Sequence, residues 1–230
     1  MERSDVAIVI PAFNEAATIA RVVESVSVYG QPIVVDDCSK DKTATLARAA
    51  GAVVITRDTN GGYDEALNSG FAEADRRGYS YVVTFDADGQ HDAKIVGAFV
   101  ARLRRGDDLV VGIRSRHARL SESLFALYTR VCFGLHDPLC GMKGYRMDLY
   151  RERGCFDSYR SIGTELTLCA LRNKKVVNQL PVPIAERNGV SRFAHRWKAD
   201  YKILRAMILS WVRYYNVARR MHLSNSHRPS

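Results

Sequence analysis

Three carboxylates follow an apolar run in the segment YVVTFDADGQHD, residues 81–92. Asp86 and Asp88 are two residues apart, and where extended geometry holds their side chains leave the same face of a strand. Two carboxylates held together raise each other's pKa, and a bound divalent cation would remove that cost. Hard cations such as Mg²⁺ or Mn²⁺ complete their coordination with water and phosphate oxygens. The motif therefore predicts a metal–diphosphate site, while a solvated turn rich in Asp and Gly remains the plainer alternative.

Strand and helix patterns alternate through the first half of the chain and would bring such groups together. Apolar runs within residues 6–13, 32–39, 52–58 and 79–88 are typical of strands buried on both faces, and segments with helical spacing separate them. This order predicts an α/β fold with a largely parallel sheet and helices on both faces. Ligands of such sheets bind beyond the carboxyl ends of the strands. Three of those ends carry polar clusters: Asn14–Glu15, Asp36–Asp37 and Asp86–Asp88.

The second half is less regular, and the segment 137–152, DPLCGMKGYRMDLYRE, is interpreted as a Gly-rich active-site connection. Around it the patterns predict helices at 94–106, 122–137, 163–174 and 196–221, and strands at 108–116 and 175–187. Without a repeat or linker, we expect one domain over residues 1–222. Its division into a nucleotide half at about 5–115 and an acceptor half at about 116–222 is implied by the family resemblance described below. Residues 223–230 are expected to be a disordered tail.

Charge and cysteine content narrow the classes of partner and compartment. The formal net charge of +9 over 230 residues favours anionic partners: nucleic acid, phosphorylated small molecules or an acidic membrane face. Five cysteines, an odd number with no CxxC pair, argue against a disulfide framework or zinc site and favour a reducing cytosol. No apolar window is long enough for a spanning helix. We expect a cytoplasmic protein, with peripheral contact at the cytoplasmic membrane face left open.

Four motifs occur in order at βαβ spacing: VIPAFNE, VVDDCSKDKT, the NGG turn before a helix, and TFDADGQHD. Together they resemble the family-2 glycosyltransferases of the GT-A fold, in which the first two hold the nucleotide of a sugar-nucleotide donor and the DxD holds the metal. The segments VVGIRSR, DPLCGMKGYR and ERNGVSRFAHR look most like the dolichyl- or polyprenyl-phosphate sugar transferase branch. Over about residues 5 to 200, the resemblance implies an inverting, Mg²⁺- or Mn²⁺-dependent transferase with a polyprenyl-phosphate acceptor.

The resemblance also implies roles for individual residues. Pro11, Phe13 and Glu15 would flank the nucleoside, while Val35 and Asp37 would meet the base and ribose. Further along the chain, the residues implied for the metal and phosphates are Asp86, Ala87, Asp88, Gln90, Arg114, Arg187 and Arg192. The metal ligands among them would be Asp86, Asp88 and Gln90, and of these three Asp88 is the one expected to contact the metal directly.

Some positions depart from the family pattern. Phe13 stands where relatives often have tyrosine, and Tyr63, Asp64 and Glu65 replace a turn that often carries lysine. These departures lie close to the nucleotide. The identity of the base therefore stays open between GDP, UDP and others.

The need for a general base depends on the acceptor. A hydroxyl must lose its proton as it attacks, whereas a phosphate is already anionic and needs only positive charge to position it. Asp88 and Arg114 would act on the leaving diphosphate. Asp137 and Glu165 are the two candidates for a base, and of these Asp137 is expected to shape the acceptor loop. Glu165 is either a base or a structural residue, since a helix dipole favours an acid in the first turn.

The C-terminal helix pattern bears on the acceptor, because it places Trp197, Trp211, Tyr214 and Tyr215 among arginines and lysines. Such a helix can lie in a membrane interface, or it can simply pack on the sheet with a solvated basic edge. A hydroxyl acceptor in lipopolysaccharide, capsule or another glycan is the alternative to a lipid phosphate. A non-catalytic nucleotide or nucleic-acid binder is the third hypothesis. The intact DAD and ERNGVSR argue against it, so no nucleic-acid partner is expected.

Overall fold

The computed structural model describes residues 4–115, 119–183 and 196–225, with side chains of the last helix described from 199 to 213. Arg187 and Arg192 lie outside the described residues, as do residues 226–230 of the predicted tail. The side chains of Trp197, Tyr214 and Tyr215 lie outside them too.

One sheet of seven strands forms the centre of the described structure, in the order β3-β2-β1-β4-β6-β5-β7. The strands are β1 Val6–Ala12, β2 Gln31–Asp36, β3 Val53–Thr56, β4 Tyr81–Thr84, β5 Leu109–Arg114, β6 Lys143–Arg146 and β7 Val177–Val182. All neighbouring pairs are parallel except those of β6, which runs antiparallel to β4 and β5. The predicted α/β class with a mostly parallel sheet is confirmed.

Eight helices connect and cover the strands in the described part of the chain. They are α1 Ile19–Val26, α2 Thr43–Ala49, α3 Tyr63–Arg76, α4 Lys94–Arg104, α5 Leu120–Phe133, α6 Met147–Arg153, α7 Glu165–Arg172 and α8 Arg196–Asn225. Alternate residues of β1 face opposite sides of the sheet: Ile8 and Ile10 pack with α1 and α4, and Ala7 and Val9 pack with α3 and α7. This explains why the run VAIVIPA is apolar throughout.

The interpretation of residues 137–152 as a connection is wrong for its second part, where β6 and α6 lie. The sequence GMKGYRMD lacks the β-branched residues that indicate a strand. Pairing comes instead from remote partners, because Lys143 lies opposite Thr84 of β4 and Val111 of β5. Tertiary pairing therefore overrides a weak local pattern.

Helix α8 packs on α5 beside the main sheet, where Phe125 contacts Ile203 and Ala206 in a small separate core. The predicted C-terminal helix is therefore present and rests partly on the body of the protein. Within the part of the chain that the structure describes, no helix combines the length and apolar character needed to cross a membrane.

Candidate active site

The turns after β1 and β2 are joined to each other by hydrogen bonds at the carboxyl edge of the sheet. Asn14, with φ of 52°, donates its N–H to Ser39 Oγ at 2.8 Å, and its side chain accepts from Lys40 N at 2.8 Å. Glu15 N donates to Thr43 Oγ1 at 2.8 Å. The predicted polar clusters of these two strand ends are therefore brought together.

Asp37 is buried and holds the NGG turn. Its two carboxylate oxygens accept from Gly61 N at 3.0 Å and Gly62 N at 2.7 Å, and Arg57 Nε lies 3.0 Å from Oδ1. Gly62 has φ of 86°, a left-handed conformation that glycine adopts without strain. These contacts occupy much of the acceptor capacity of Asp37. A contact of its carboxylate with a nucleoside base remains a prediction.

The DAD motif lies in a turn, because β4 ends at Thr84. The extended geometry that would place Asp86 and Asp88 on one strand face is therefore absent. The turn is instead fixed by Thr18 Oγ1, which donates to Ala87 O at 2.7 Å, and by Gln90 N, which donates to Asp88 Oδ1 at 3.1 Å. Both carboxylates nevertheless follow directly after the carboxyl end of β4, a central strand of the sheet.

Asp86 approaches a glycine backbone on the opposite loop. A Cβ built on Gly141 would lie 2.5 Å from Asp86 Oδ2, so only glycine permits this approach. His91 Nε2 lies 3.2 Å from the same oxygen. Burial lowers the pKa of His91, but its hydrogen bond to Asp86 and the charge of that carboxylate outweigh burial and raise the pKa.

The donor set of the DAD turn fits a divalent cation that is shared with phosphate. Among the described residues, no group of three or more His, Cys, Asp and Glu side chains forms a metal cage. Mg²⁺ in particular is held by one or two carboxylates and takes its other oxygen ligands from water and substrate phosphates. Asp86 and Asp88 are two carboxylates of one turn, and Gly141 leaves room beside the first, so their chemistry meets that requirement.

Arg114, at the end of β5, is clamped by Asp137. Its Nε donates to Asp137 Oδ2 at 2.7 Å and its Nη2 to Oδ1 at 2.9 Å, while its backbone N–H also reaches Oδ2 at 3.1 Å. Glu122 of α5 adds a second ion pair at 3.2 Å. Burial opposes the charge on Arg114, but the hydrogen bonds to Asp137 and the nearby carboxylates raise its pKa. Asp137 thus positions Arg114 and ties the loop between α5 and β6 to the end of β5; that this loop meets the acceptor stays a prediction.

Lys143 was not identified from the sequence, yet it joins two loops of the acceptor side. Its buried Nζ donates to Pro138 O at 2.8 Å and to Gly163 O at 2.6 Å. Burial lowers the pKa of this amine to about 8. The only sequence signal was a single lysine among small and apolar residues in CGMKGYR.

Asp64 holds the same loop from the side of α3. Its carboxylate accepts from Gly163 N at 2.6 Å and Ile162 N at 3.2 Å, and burial, followed by the charge of Asp157, raises its pKa to about 6. Neighbouring Tyr63 contacts Gly163, and burial together with the charge of Asp86 raises the pKa of the phenol well above its ordinary value. Tyr63 and Asp64, in the first turn of α3, therefore hold loop 157–164.

Glu165 is fully buried at the start of α7 and is surrounded by donors. Arg153 donates to its Oε1, Arg213 Nη1 lies 3.2 Å from the same oxygen, and Ser158 donates both its backbone N–H and its hydroxyl. A carboxylate bound this way is poorly placed to take a proton from a substrate. Of the two alternatives for Glu165, these contacts support the structural one.

Some of the residues predicted to contact the nucleoside lie at the carboxyl edge of the sheet, and others lie in the hydrophobic core. Pro11 lies opposite Val35 in the β1–β2 register, but Val35 is fully buried, and a Cβ at Gly70 of α3 would lie 3.2 Å from it. Phe13 and Glu15 follow β1 at the carboxyl edge, half-buried beside the β2–α2 turn. Their contacts with a nucleotide stay predictions, as do the phosphate roles of Arg187 and Arg192.

A family model agrees with the motifs. Glycosyl transferase family 2 matches residues 7–180 of the chain. An uncharacterized protein of Methanocaldococcus jannaschii is 35% identical over 72 residues, which are 30% of this chain and 30% of that protein. The chain thus spans less than a third of the length of this curated relative.

Solved structures agree with the fold. Glucosyl-3-phosphoglycerate synthase from Mycobacterium tuberculosis, in complex with Mn²⁺, UDP and glucosyl-3-phosphoglycerate, has a TM-score of 0.73 at 20% identity, over 91% of this chain and 80% of that one. The same synthase with Mg²⁺ and UDP has a TM-score of 0.73 at 21% identity, over 91% and 79% of the two chains. At these identities the likeness confirms the GT-A type of fold.

Proposed function

The chain belongs to glycosyl transferase family 2, and on that premise we propose that this glycosyltransferase moves a sugar from a nucleoside-diphosphate sugar to a phosphate-bearing acceptor. The observation that carries the proposal is the arrangement of the DAD turn, where Asp86 and Asp88 stand at the end of β4 and Gly141 leaves room beside Asp86. This arrangement fits the diphosphate of a donor bound through Mg²⁺ or Mn²⁺. Complexes of the mycobacterial synthase with Mn²⁺ or Mg²⁺ and UDP support the same reading.

The reaction requires the departing diphosphate to be stabilised. A divalent cation bound by Asp86 and Asp88, with Gln90 beside them, would supply positive charge at the leaving group. Arg114 adds a charge that its clamp by Asp137 keeps in one orientation. Preorganised charge of this kind costs no reorganisation when the bond breaks.

The acceptor side favours a nucleophile that is already anionic. Asp137 and Glu165, the two carboxylates considered as bases, each accept hydrogen bonds from arginine. A hydroxyl acceptor would need one of them to be available for its proton, whereas a phosphate oxygen needs no base. We therefore place a lipid phosphate, such as a polyprenyl phosphate, first among the acceptors. The resemblance of DPLCGMKGYR to that branch supports the choice.

A lipid-linked acceptor requires the protein to meet a membrane. The basic, aromatic C-terminal helix is the proposed point of peripheral contact, at the cytoplasmic face. A phosphorylated small molecule is the second candidate acceptor, because the structurally similar synthase is crystallised with phosphoglyceric acid.

Thermal shift with a panel of sugar nucleotides, with and without Mn²⁺, tests the donor half of the proposal. A ligand at about 100 times its dissociation constant should add about 2.7 kcal/mol to the free energy of unfolding. Asp86→Asn with Asp88→Asn should abolish the metal-dependent part of the shift. Asp92→Asn removes an exposed charge six residues from Asp86 and should keep it. An undiminished shift in the double variant, or no shift with any donor, would overturn the proposal.

Product analysis then tests the acceptor. The donor identified by thermal shift is incubated with polyprenyl phosphate in detergent, with phosphoglycerate, and with neutral glycosides. Transfer to the lipid phosphate supports the first acceptor. Transfer to phosphoglycerate alone replaces it with the second, and a product joined through the hydroxyl of phosphoglycerate would contradict the inference that no base is needed. Transfer to a neutral glycoside alone would contradict a phosphate acceptor.

A further inference from the structure

Helix α5 exposes a row of apolar side chains. Leu120, Leu124, Leu127 and Val131 recur at helical spacing and are 45–78% exposed. Ordinary surface helices present polar residues on this face. A row of four large apolar side chains therefore needs a partner.

Helix α8 exposes a second row. Tyr201, Leu204, Ile208 and Trp211 follow a spacing of three, four and three residues and are 37–68% exposed. The opposite face of the helix, with Ala199, Ile203, Ala206 and Ser210, is buried. The described part of α8 is thus apolar on an outer face as well as on the inner one.

The two rows lie on the same side of the helix pair. Ser121 Oγ donates to Asp200 at 2.6 Å, and Phe125 contacts Ile203 and Ala206 further along. Contacts advance in the same direction on both helices, so α5 and α8 run parallel. At about 100° per residue, the exposed row of each helix is displaced by roughly 110° from the residues that contact the other helix, and the displacement has opposite senses on α5 and α8. In a parallel pair both exposed rows therefore lie on the same side. We call these eight residues the α5–α8 face.

The net charge of the chain and the charged residues of helix α8 indicate the kind of partner. Helix α8 contains seven Arg and Lys residues and one acid, Asp200, which accepts from Ser121 and lies 3.9 Å from Arg119. The formal net charge of the whole chain is +9. A second copy of this face would bring like charges together, whereas an anionic lipid surface offers both opposite charge and an apolar layer.

Ion pairs and hydrogen bonds connect both helices to the candidate active site. Glu122, in the first turn of α5, pairs with Arg114. On α8, Arg205 donates to Tyr159 O at 3.0 Å, and Arg213 reaches Glu165 and stacks 4.5 Å from the centre of the Tyr159 ring. Loop 157–164 therefore lies between the α8 helix and the buried Lys143.

We propose that the α5–α8 face docks on an anionic membrane surface, with α5 forming half of the contact. The docking itself stands on the exposed rows and the charge. Only its use, to bring a lipid-linked phosphate to loop 157–164, rests on the proposed function. Apolar burial and attraction to anionic headgroups act together in such a contact, so removal of either should weaken it.

Co-sedimentation of the full chain with vesicles tests the docking. Wild-type protein should bind phosphatidylglycerol vesicles at low salt, and bind phosphatidylcholine vesicles or high-salt samples at least tenfold more weakly. Leu124→Asp with Leu127→Asp on α5, and Tyr201→Asp with Ile208→Asp on α8, should each weaken binding at least tenfold. Val28→Asp with Val176→Asp changes equally exposed valines elsewhere and should bind like wild type.

Three results would overturn the proposal. These are absence of wild-type binding to anionic vesicles, unchanged binding by the α5 variant, and a wild-type dimer that both aspartate variants convert to monomer. Donor-induced thermal shift in the same variants separates this proposal from the proposed function. A variant that keeps the donor-induced thermal shift but loses vesicle binding supports membrane docking independently of donor binding. Vesicle binding by a protein that shows no thermal shift with any donor would contradict the proposed function but leave the docking proposal standing.

Discussion

The carboxylates at the two sides of the site have different partners. On the donor side, Asp86 lies against a histidine and a glycine backbone, and among the described residues no arginine or lysine forms an ion pair with it. On the acceptor side, Asp137 and Glu165 are buried and bound by arginines. Asp86 thus has no described arginine or lysine partner, whereas Asp137 and Glu165 hold loops in place. Residue type alone would have given all of them the same role.

The largest expected effect is on stability, at the Arg114–Asp137 pair. Asp137→Ala leaves a buried guanidinium with Glu122 as its remaining acidic partner in the described structure. We expect the free energy of unfolding, measured by urea denaturation, to fall by about 3–5 kcal/mol. Asp5→Ala removes the exposed ion pair with Arg104 and should cost less than about 1 kcal/mol. Equal losses of unfolding free energy in the two variants would contradict the view that the buried Asp137 stabilises the fold more than the exposed Asp5 does.

The next effect is the pH dependence of Asp64. Its pKa is about 6 in the folded protein, against an ordinary value of 3.8, so the folded state binds more protons between these values. Its contribution to stability is therefore fully present below about pH 4 and is lost as pH rises through about 6. From pH 4 to 7, the stability of wild type relative to Asp64→Asn should fall by about 1–2 kcal/mol. A difference that stays flat or rises with pH would contradict the assignment.

A smaller effect tests the donor side without removing a carboxylate. Gly141→Ala places a Cβ against Asp86 Oδ2 and should force that carboxylate to move. Displacement of a metal ligand should weaken Mn²⁺ binding, measured by calorimetry, by about tenfold. Gly97→Ala, whose Cβ meets the Tyr29 ring away from the site, is the control and should bind as wild type. An unchanged Mn²⁺ affinity in Gly141→Ala would indicate that Asp86 is not a metal ligand.

The smallest expected effect is on turnover in Glu165→Gln. Because Glu165 is bound by Arg153, Arg213 and Ser158, we expect stability to fall while kcat, measured well below the melting temperature, changes less than about threefold. In barrier terms this is below about 0.7 kcal/mol. A hundredfold loss of kcat with unchanged circular dichroism would make Glu165 a base and break the comparison.

Sequence patterns predicted the strands of the first half and their common carboxyl edge well because these signals are local. Each strand of the first half is an apolar run that ends in its own polar cluster, and a parallel sheet must place those ends together. The geometry of the DAD turn was beyond such reasoning. Thr18, which is 69 residues from Ala87, donates to the Ala87 carbonyl, and Gly141, which is 55 residues from Asp86, leaves room for that carboxylate.

The acceptor side was harder to predict because its organising contacts are buried and remote. Arg114 meets Asp137 across 23 residues, and Asp64 meets Gly163 across 99. Strand β6 is held by neighbours on both sides and shows no clear pattern of its own. Lys143 and Asp64 are single charged residues without a spacing rule, so only the folded chain shows their shared loop.

The reversed direction of β6 gives the acceptor side a degree of independence. Lys143 opens β6 beside Thr84, the last residue of β4, so the chain that leaves the sheet at Arg114 returns to the same edge. The excursion from 115 to 142, α5 included, begins and ends at neighbouring points and can change in length without shifting any strand register. Changes of length before Asp137 would therefore alter the surface beside the sheet, while Asp137 and Gly141, near the end of the excursion, keep their contacts with Arg114 and Asp86.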